Sequence, residues 1–189
     1  SILTGKLRLS RQPTDLWSIV VHTEARLHPV AEERQITIHL EPPAGALDLE
    51  ADGKLLEQAV FEVIDNAVKF TPAGGHITLR GHQEDTADIL QVQDTGSGIA
   101  LEQLATLLKP FTQLQRKEEL GGLGIGLALV RGIIEAHGGR VTITSAGLGQ
   151  GTTVLIRLPR PGEHAIVYEH GTTEASQGAG SSSNDHTVD

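Results

Sequence analysis

From Asp52 to Phe70 the apolar residues Leu56, Val60, Val63, Ala67 and Phe70 recur at steps of three and four, the period of a helix that buries one stripe. Thr71-Pro72-Ala73-Gly74-Gly75 follows with turn residues that end it. The same period marks Pro13–Arg34 through Leu16, Ile19, Val20, Thr23, Leu27, Val30 and Ala31, with Thr14 or Asp15 as cap and Pro29 as an irregularity. A further helix is predicted to begin within Gly124–Gly126 and run to His137, where Gly138-Gly139 stops it, and a short one near Leu101–Leu108. Strand-like segments cover Ile36–Leu40, His76–Gly81, Ala87–Asp94, Val141–Thr144 and Thr152–Leu158. The polar turn at Gln83-Glu84-Asp85 and the glycine turn Gly147–Gly151 each join two of these into an antiparallel hairpin, whereas the strand-helix-strand passage from Ile36 to Gly81 permits parallel pairing. The economical solution is an α+β fold: a two-layer α/β sandwich whose mixed five-stranded sheet is covered on one face by about three helices.

Composition narrows this picture. A chain of 189 residues, 38% of them hydrophobic, can bury one core, which we expect to span residues 14–161. Residues 1–13 precede it, and 162–189, rich in Gly and Ser, read as a flexible tail. Without methionine, the opening Ser1-Ile2-Leu3 reads as a processed product or a piece of a longer protein. No apolar run approaches the roughly 18 to 20 residues of a membrane span, and no basic-then-apolar leader opens the chain. The balance of 15 Lys+Arg against 24 Asp+Glu gives a net charge of -9, which opposes binding to nucleic acid or direct contact with an anionic membrane. The absence of cysteine excludes disulfides, thiolate metal sites and cysteine nucleophiles.

Four groups of residues could carry chemistry. On the helix 52–70, Glu62, Asn66 and Lys69 share one angular sector with Gln58 near it. Carboxylate and amide oxygens suit Mg²⁺, and an ammonium suits a phosphate oxygen, although any surface helix offers such a polar face. Asp94-Thr95-Gly96-Ser97-Gly98-Ile99 follows a strand and sets an acceptor-only carboxylate beside glycines that let a flat ligand approach; an ordinary turn has the same composition. Adenine presents a matching exocyclic N–H donor to such a carboxylate, where guanine presents a carbonyl. Gly121-Gly122-Leu123-Gly124-Ile125-Gly126-Leu127 opens a helix whose free N–H groups attract phosphate, or else forms a hinge. Its G-x-G-x-G spacing is neither the dinucleotide fingerprint nor a P-loop. Gly149-Gln150-Gly151-Thr152-Thr153 is a hairpin turn with a hydroxyl, Thr152, that could help hold a base.

In this order within one domain, these segments make residues 14–160 resemble the catalytic ATP-binding domain of sensor histidine kinases, a fold shared with ATPase domains of gyrase, a heat-shock chaperone and mismatch-repair proteins. Glu62–Phe70 resembles that family's N box, Asp94–Ile99 its first G box, Lys109-Pro110-Phe111-Thr112-Gln113 its F box, Gly122–Leu127 its second G box and Gly149–Thr153 its last. The resemblance implies ATP and Mg²⁺ as cofactors, with an ATP lid at roughly Phe111–Gly122. It implies Asn66 on Mg²⁺, Lys69 on phosphate and Asp94 on the adenine amine. Gly96, Gly98 and Ile99 would form the pocket floor, and Thr152 would support Asp94 through a shared water. Phe111, Gly122, Leu123, Gly124, Gly126 and Leu127 complete the implied nucleotide contacts. Glu62 stands where many histidine kinases carry Asn and the related ATPases carry a water-activating Glu, so it is either a Mg²⁺ ligand or a base.

The implied partners are ATP or ADP, a dimerisation and histidine-acceptor domain, and a response regulator. The implied location is cytoplasmic, with a membrane-anchored parent compatible. None of the nine histidines fits the acceptor. His22-Thr23-Glu24-Ala25-Arg26-Leu27-His28-Pro29 has the wrong Glu, Arg and Pro spacings, so the chain alone is not expected to phosphorylate itself. A water-using ATPase and a non-catalytic nucleotide-responsive interaction module remain the alternatives.

Overall fold

In a computed structural model of the chain, residues 8–100, 102–103 and 123–161 are described. They form β1 (Gln12–Asp15), α1 (Leu16–Glu33), β2 (Thr37–Glu41), β3 (Asp48–Ala51), α2 (Gly53–Phe70), β4 (His76–Gln83), β5 (Ala87–Asp94), α3 (Leu123–Ala136), β6 (Arg140–Thr144) and β7 (Thr152–Pro159). The predicted short helix, the stretch Gln113–Glu119 and the tail lie outside these residues, apart from Glu102 and Gln103, which are helical.

The five expected strands make one mixed sheet in the order β2-β4-β5-β7-β6. Only β2 and β4 run parallel, joined through α2; β4–β5 and β6–β7 pair antiparallel, as the two hairpins required, and β5 pairs antiparallel with β7 between them. Two short strands were not legible: β1 pairs antiparallel with β3 in a separate two-stranded sheet, although the sequence pattern predicts the start of the first helix at Pro13–Asp15 and no strand between Leu40 and Asp52. Gln12-Pro13-Thr14-Asp15 has no apolar alternation, and in β3 only Leu49 and Ala51 point inward.

Each of the first two helices starts where an aspartate satisfies the free amides. Asp15 accepts from Trp17 N–H at 3.1 Å, and Asp52 accepts from Leu55 N–H at 3.3 Å. The buried stripe of α2 comprises Leu56, Ala59, Val60, Val63, Ile64, Ala67 and Val68. It meets Leu16 and Val20 of α1, Val130, Ile133 and Ile134 of α3, and Leu79, Leu90, Val92 and Ile156 of the sheet. Each such aliphatic side chain contributes roughly 1.5–3 kcal/mol on burial. His137, directly after α3, donates from Nδ1 to Ile133 O at 2.8 Å and accepts Asp52 N–H at Nε2, 3.0 Å away, which ties the end of α3 to the start of α2. Among the described residues no helix is long and apolar enough to cross a membrane.

Candidate functional site

Because β5 and β7 are antiparallel, the last residue of one faces the first of the other: Asp94 pairs with Thr152. The half-buried Asp94 carboxylate turns one oxygen, Oδ1, back onto the chain, where it accepts Gly96 N–H at 2.8 Å and Thr152 N–H at 3.2 Å. Burial pushes the carboxyl above its ordinary pKa, and these two backbone donors pull against that shift. Beside it opens a cavity of about 240 Å³ between α2 and the sheet. Its walls are mostly apolar, drawn chiefly from Val63, Ala67, Val92, Ile99, Leu127 and Val154, with Asn66, Asp94, Ser97, Gln103 and Thr152 as polar members. An apolar slot with few placed polar groups is the usual build of a small-molecule site.

Two glycines are required by this geometry. Gly98 has φ +67°, and a Cβ there would lie 2.0 Å from Gly147 O. Gly126, in the first turns of α3, lets that helix approach α2 so closely that a Cβ would lie 2.9 Å from Glu62 Oε2 and 3.5 Å from Asn66 Nδ2. The half-buried Glu62 and Asn66 therefore face α3 instead of open solvent. Asn66 Nδ2 is buried without a hydrogen-bond partner. Lys69, at the exposed end of the sector, pairs with Asp65 at 2.8 Å. That pairing is the main reason its ammonium is held above its ordinary pKa, with the Glu62 charge adding less.

Of the residues expected to form a site, Asn66, Asp94, Gly98, Ile99, Leu127 and Thr152 border the cavity. Gly96 shapes the turn behind Asp94, where a Cβ would meet Phe70 O at 2.5 Å. Glu62 and Lys69 stand next to this group but do not line it. Leu123 and Gly124 begin α3; Phe111 and Gly122 lie outside the described residues. The support for Asp94 is the Thr152 backbone N–H.

Sequence reasoning missed Ser145. Its hydroxyl donates to Gly151 O at 2.7 Å and accepts Ile99 N–H at 3.0 Å, joining the two glycine segments. A serine just ahead of a glycine turn was the available signal. Phe70, expected in the buried stripe of α2, lines the cavity instead, as does Leu148 from the opposite side.

Residues 51–162 match the family described as histidine kinase-, DNA gyrase B-, and HSP90-like ATPase. The chain belongs to that family. This ATPase-family domain is 44% identical over 118 residues to the histidine protein kinase DivJ of Caulobacter vibrioides, covering 62% of the chain and 20% of DivJ. Among solved structures it resembles full-length ShkA in complex with AMPPNP (TM-score 0.71, 29% identity, 84% of this chain and 33% of that one). It also resembles the mycobacterial sensor histidine kinase MprB (TM-score 0.65, 28% identity, 80% of this chain and 99% of that one). The chain spans between 20% and 30% of the length of the first curated relatives it matches. It is an ATP-binding catalytic domain of the sensor histidine kinase kind.

Proposed function

We propose that this domain binds ATP with Mg²⁺ and, within a longer protein, transfers the γ-phosphoryl group to a histidine on a dimerisation domain, for relay to an aspartate of a response regulator. The observation that carries the nucleotide reading is Asp94. With Oδ1 committed to Gly96 and Thr152, Asp94 keeps its second oxygen without such a backbone donor at the border of a mostly apolar cavity of about 240 Å³. A carboxylate there accepts the adenine amine and repels the guanine carbonyl.

The residues present also fit a magnesium ion. Asn66, which borders the cavity, brings an amide oxygen and Glu62, beside it across from Gly126, a carboxylate, the oxygen ligands such an ion takes. Among the described residues no three His, Cys, Asp or Glu cluster around a point, so a metal here is held by these two and by phosphate oxygens. When bound, the ion supplies neutralisation of charge on the phosphates. Lys69, whose side chain is 59% exposed, reaches a phosphate by leaving Asp65. The first amides of α3, near Leu123 and Gly124, add donors and the positive end of the helix dipole. Phosphoryl transfer asks mainly for such positioning, and the acceptor histidine then comes from the dimerisation domain.

Calorimetric titration of ADP and ATP with Mg²⁺, with GTP as control, tests the nucleotide half; adenine-selective binding is expected. Adding a dimerisation hairpin in trans and following acid-labile label tests the transfer. Steady phosphate release without such label would favour the water-using ATPase, and binding without transfer or hydrolysis the interaction module.

A further inference from the structure

The turn between β6 and β7 exposes a side chain that its surroundings do not account for. Leu148 is 70% exposed, against 39–44% for Val21, Val30 and Leu40, the other large exposed apolar side chains of the described residues. Its backbone is not a loose tip. Gly149 N–H donates to Ser97 O at 2.7 Å and Gly151 N–H to Gly96 O at 3.2 Å, while the Ser145 hydroxyl bridges Gly151 O and Ile99 N–H. Ser145, Gly149 and Gly151 thus stitch this turn to the segment that follows Asp94. The stitching holds an apolar side chain against the mouth of the cavity, which Leu148 borders together with Gly98 and Gln103.

We propose that Leu148 is a further nucleotide-binding residue, an apolar lip that closes over the purine ring, and that Ser145 is the residue that positions it. This deepens the nucleotide reading above and rests on it. A purine bound with its amine at Asp94 offers two flat apolar faces, and Leu148 borders the cavity from the turn between β6 and β7. Leu148 supplies cover on that side, and its own exposed surface is removed from water in the same step. The contact is with the base alone, so it contributes equally to adenosine and to ADP and nothing to a phosphate group.

The test is titration of ADP and of adenosine into the unmodified chain, Leu148→Ala, Ser145→Ala and Ser145→Thr, with thermal unfolding of each ligand-free protein. Leu148→Ala is expected to weaken both ligands by the same factor, about five- to tenfold, from the lost burial of a partly covered Leu. Its ligand-free melting temperature is expected to stay unchanged, because the side chain packs on little. Ser145→Ala is expected to weaken ADP similarly, and Ser145→Thr, which keeps the hydroxyl, to restore binding. Unchanged affinities in Leu148→Ala overturn the lip, as does weakening of ADP alone with adenosine unaffected. A Ser145→Ala chain that melts earlier but binds ADP normally overturns the positioning role. An unmodified chain that binds no ADP would instead overturn the nucleotide reading itself.

Discussion

Strand β5 carries an aspartate at each end of the same face, and the two are treated in opposite ways. Asp94 is half-buried, holds two backbone N–H groups on one oxygen and borders a cavity. Asp88, six residues earlier and on the same side of the sheet, is fully buried, and neither oxygen has a hydrogen-bond partner. Its nearest cation, Arg160, holds Nε 4.0 Å away. Burial pushes both carboxyls above the ordinary range. At Asp88 the opposing pulls come from Gln83 and Arg160, while Asp48 and Asp15 push the same way as burial. One end of the strand thus has donors that keep a carboxylate charged and ready for a ligand, and the other has a carboxylate that the fold tolerates. A raised pKa is common to both and so does not mark the site; the fixed donors and the adjoining cavity do.

Mutating the two ends should separate binding from stability. Asp94→Asn keeps an acceptor for Gly96 and Thr152 but turns an amide donor toward the adenine amine, so ADP affinity should fall by about 100-fold in calorimetry with little change in melting temperature. In the unmodified chain the same affinity should weaken as pH falls through the raised pKa of Asp94, where the acceptor is protonated. Glycines sharpen the contrast. Gly98→Ala, strained at φ +67° and blocked by Gly147 O, should cost about 2 kcal/mol in urea unfolding and also weaken ADP. Gly139→Ala, whose Cβ would meet Arg157 O at 2.3 Å at the far end of the sheet, should cost stability while leaving ADP binding intact.

At that far end Asp88→Asn should stabilise the fold by about 1 kcal/mol at neutral pH with ADP affinity unchanged. A carboxyl whose folded pKa lies above its unfolded value of 3.8 binds more protons when folded, so wild-type stability falls as pH rises through that window. The gain from Asp88→Asn should therefore shrink as the buffer is acidified. The smallest effect belongs to His137, held below its ordinary pKa of 6.5 chiefly by burial. The unfolded chain takes up that proton first, so stability should drop as pH falls from about 6.5 toward the lowered folded value, and His137→Gln should flatten that slope.

The sequence showed most of what periodicity and turn chemistry can encode. The stripe on α2 and the strand Ala87–Asp94 carry enough repeats of their period to be read directly, and one polar and one glycine turn marked the two hairpins. What escaped depends on partners distant along the chain. Four residues with a proline cannot announce that they pair with β3. Asp88 interrupts an otherwise apolar face, so alternation gives no reason to expect a charge in the core. In the site, Asp94, Asn66 and the glycines were legible because their residue types are informative in themselves. Ser145 was not, because one hydroxyl bridging Ile99 and Gly151 looks in sequence like any turn serine. The Lys69 pairing with Asp65 follows from an i,i+4 spacing, whereas Glu62, seven residues away, lies two turns off.

Strand β5 ends and α3 begins at the same end of the sheet, since α3 leads back to β6, whose first residue Arg140 pairs with Arg157 near the end of β7. Asp94 and Leu123 therefore bound an excursion of the chain whose two ends lie at the same end of the sheet. Closing such an excursion costs free energy that grows only with the logarithm of its length, about 0.6 kcal/mol for each doubling. Evolution can lengthen, shorten or rewrite this excursion at almost no thermodynamic penalty, while a single inserted residue in β5 or β7 would reverse every inward side chain. The domain thus ties a stretch of chain that is cheap to change in length beside a carboxylate whose place the β5–β7 register fixes.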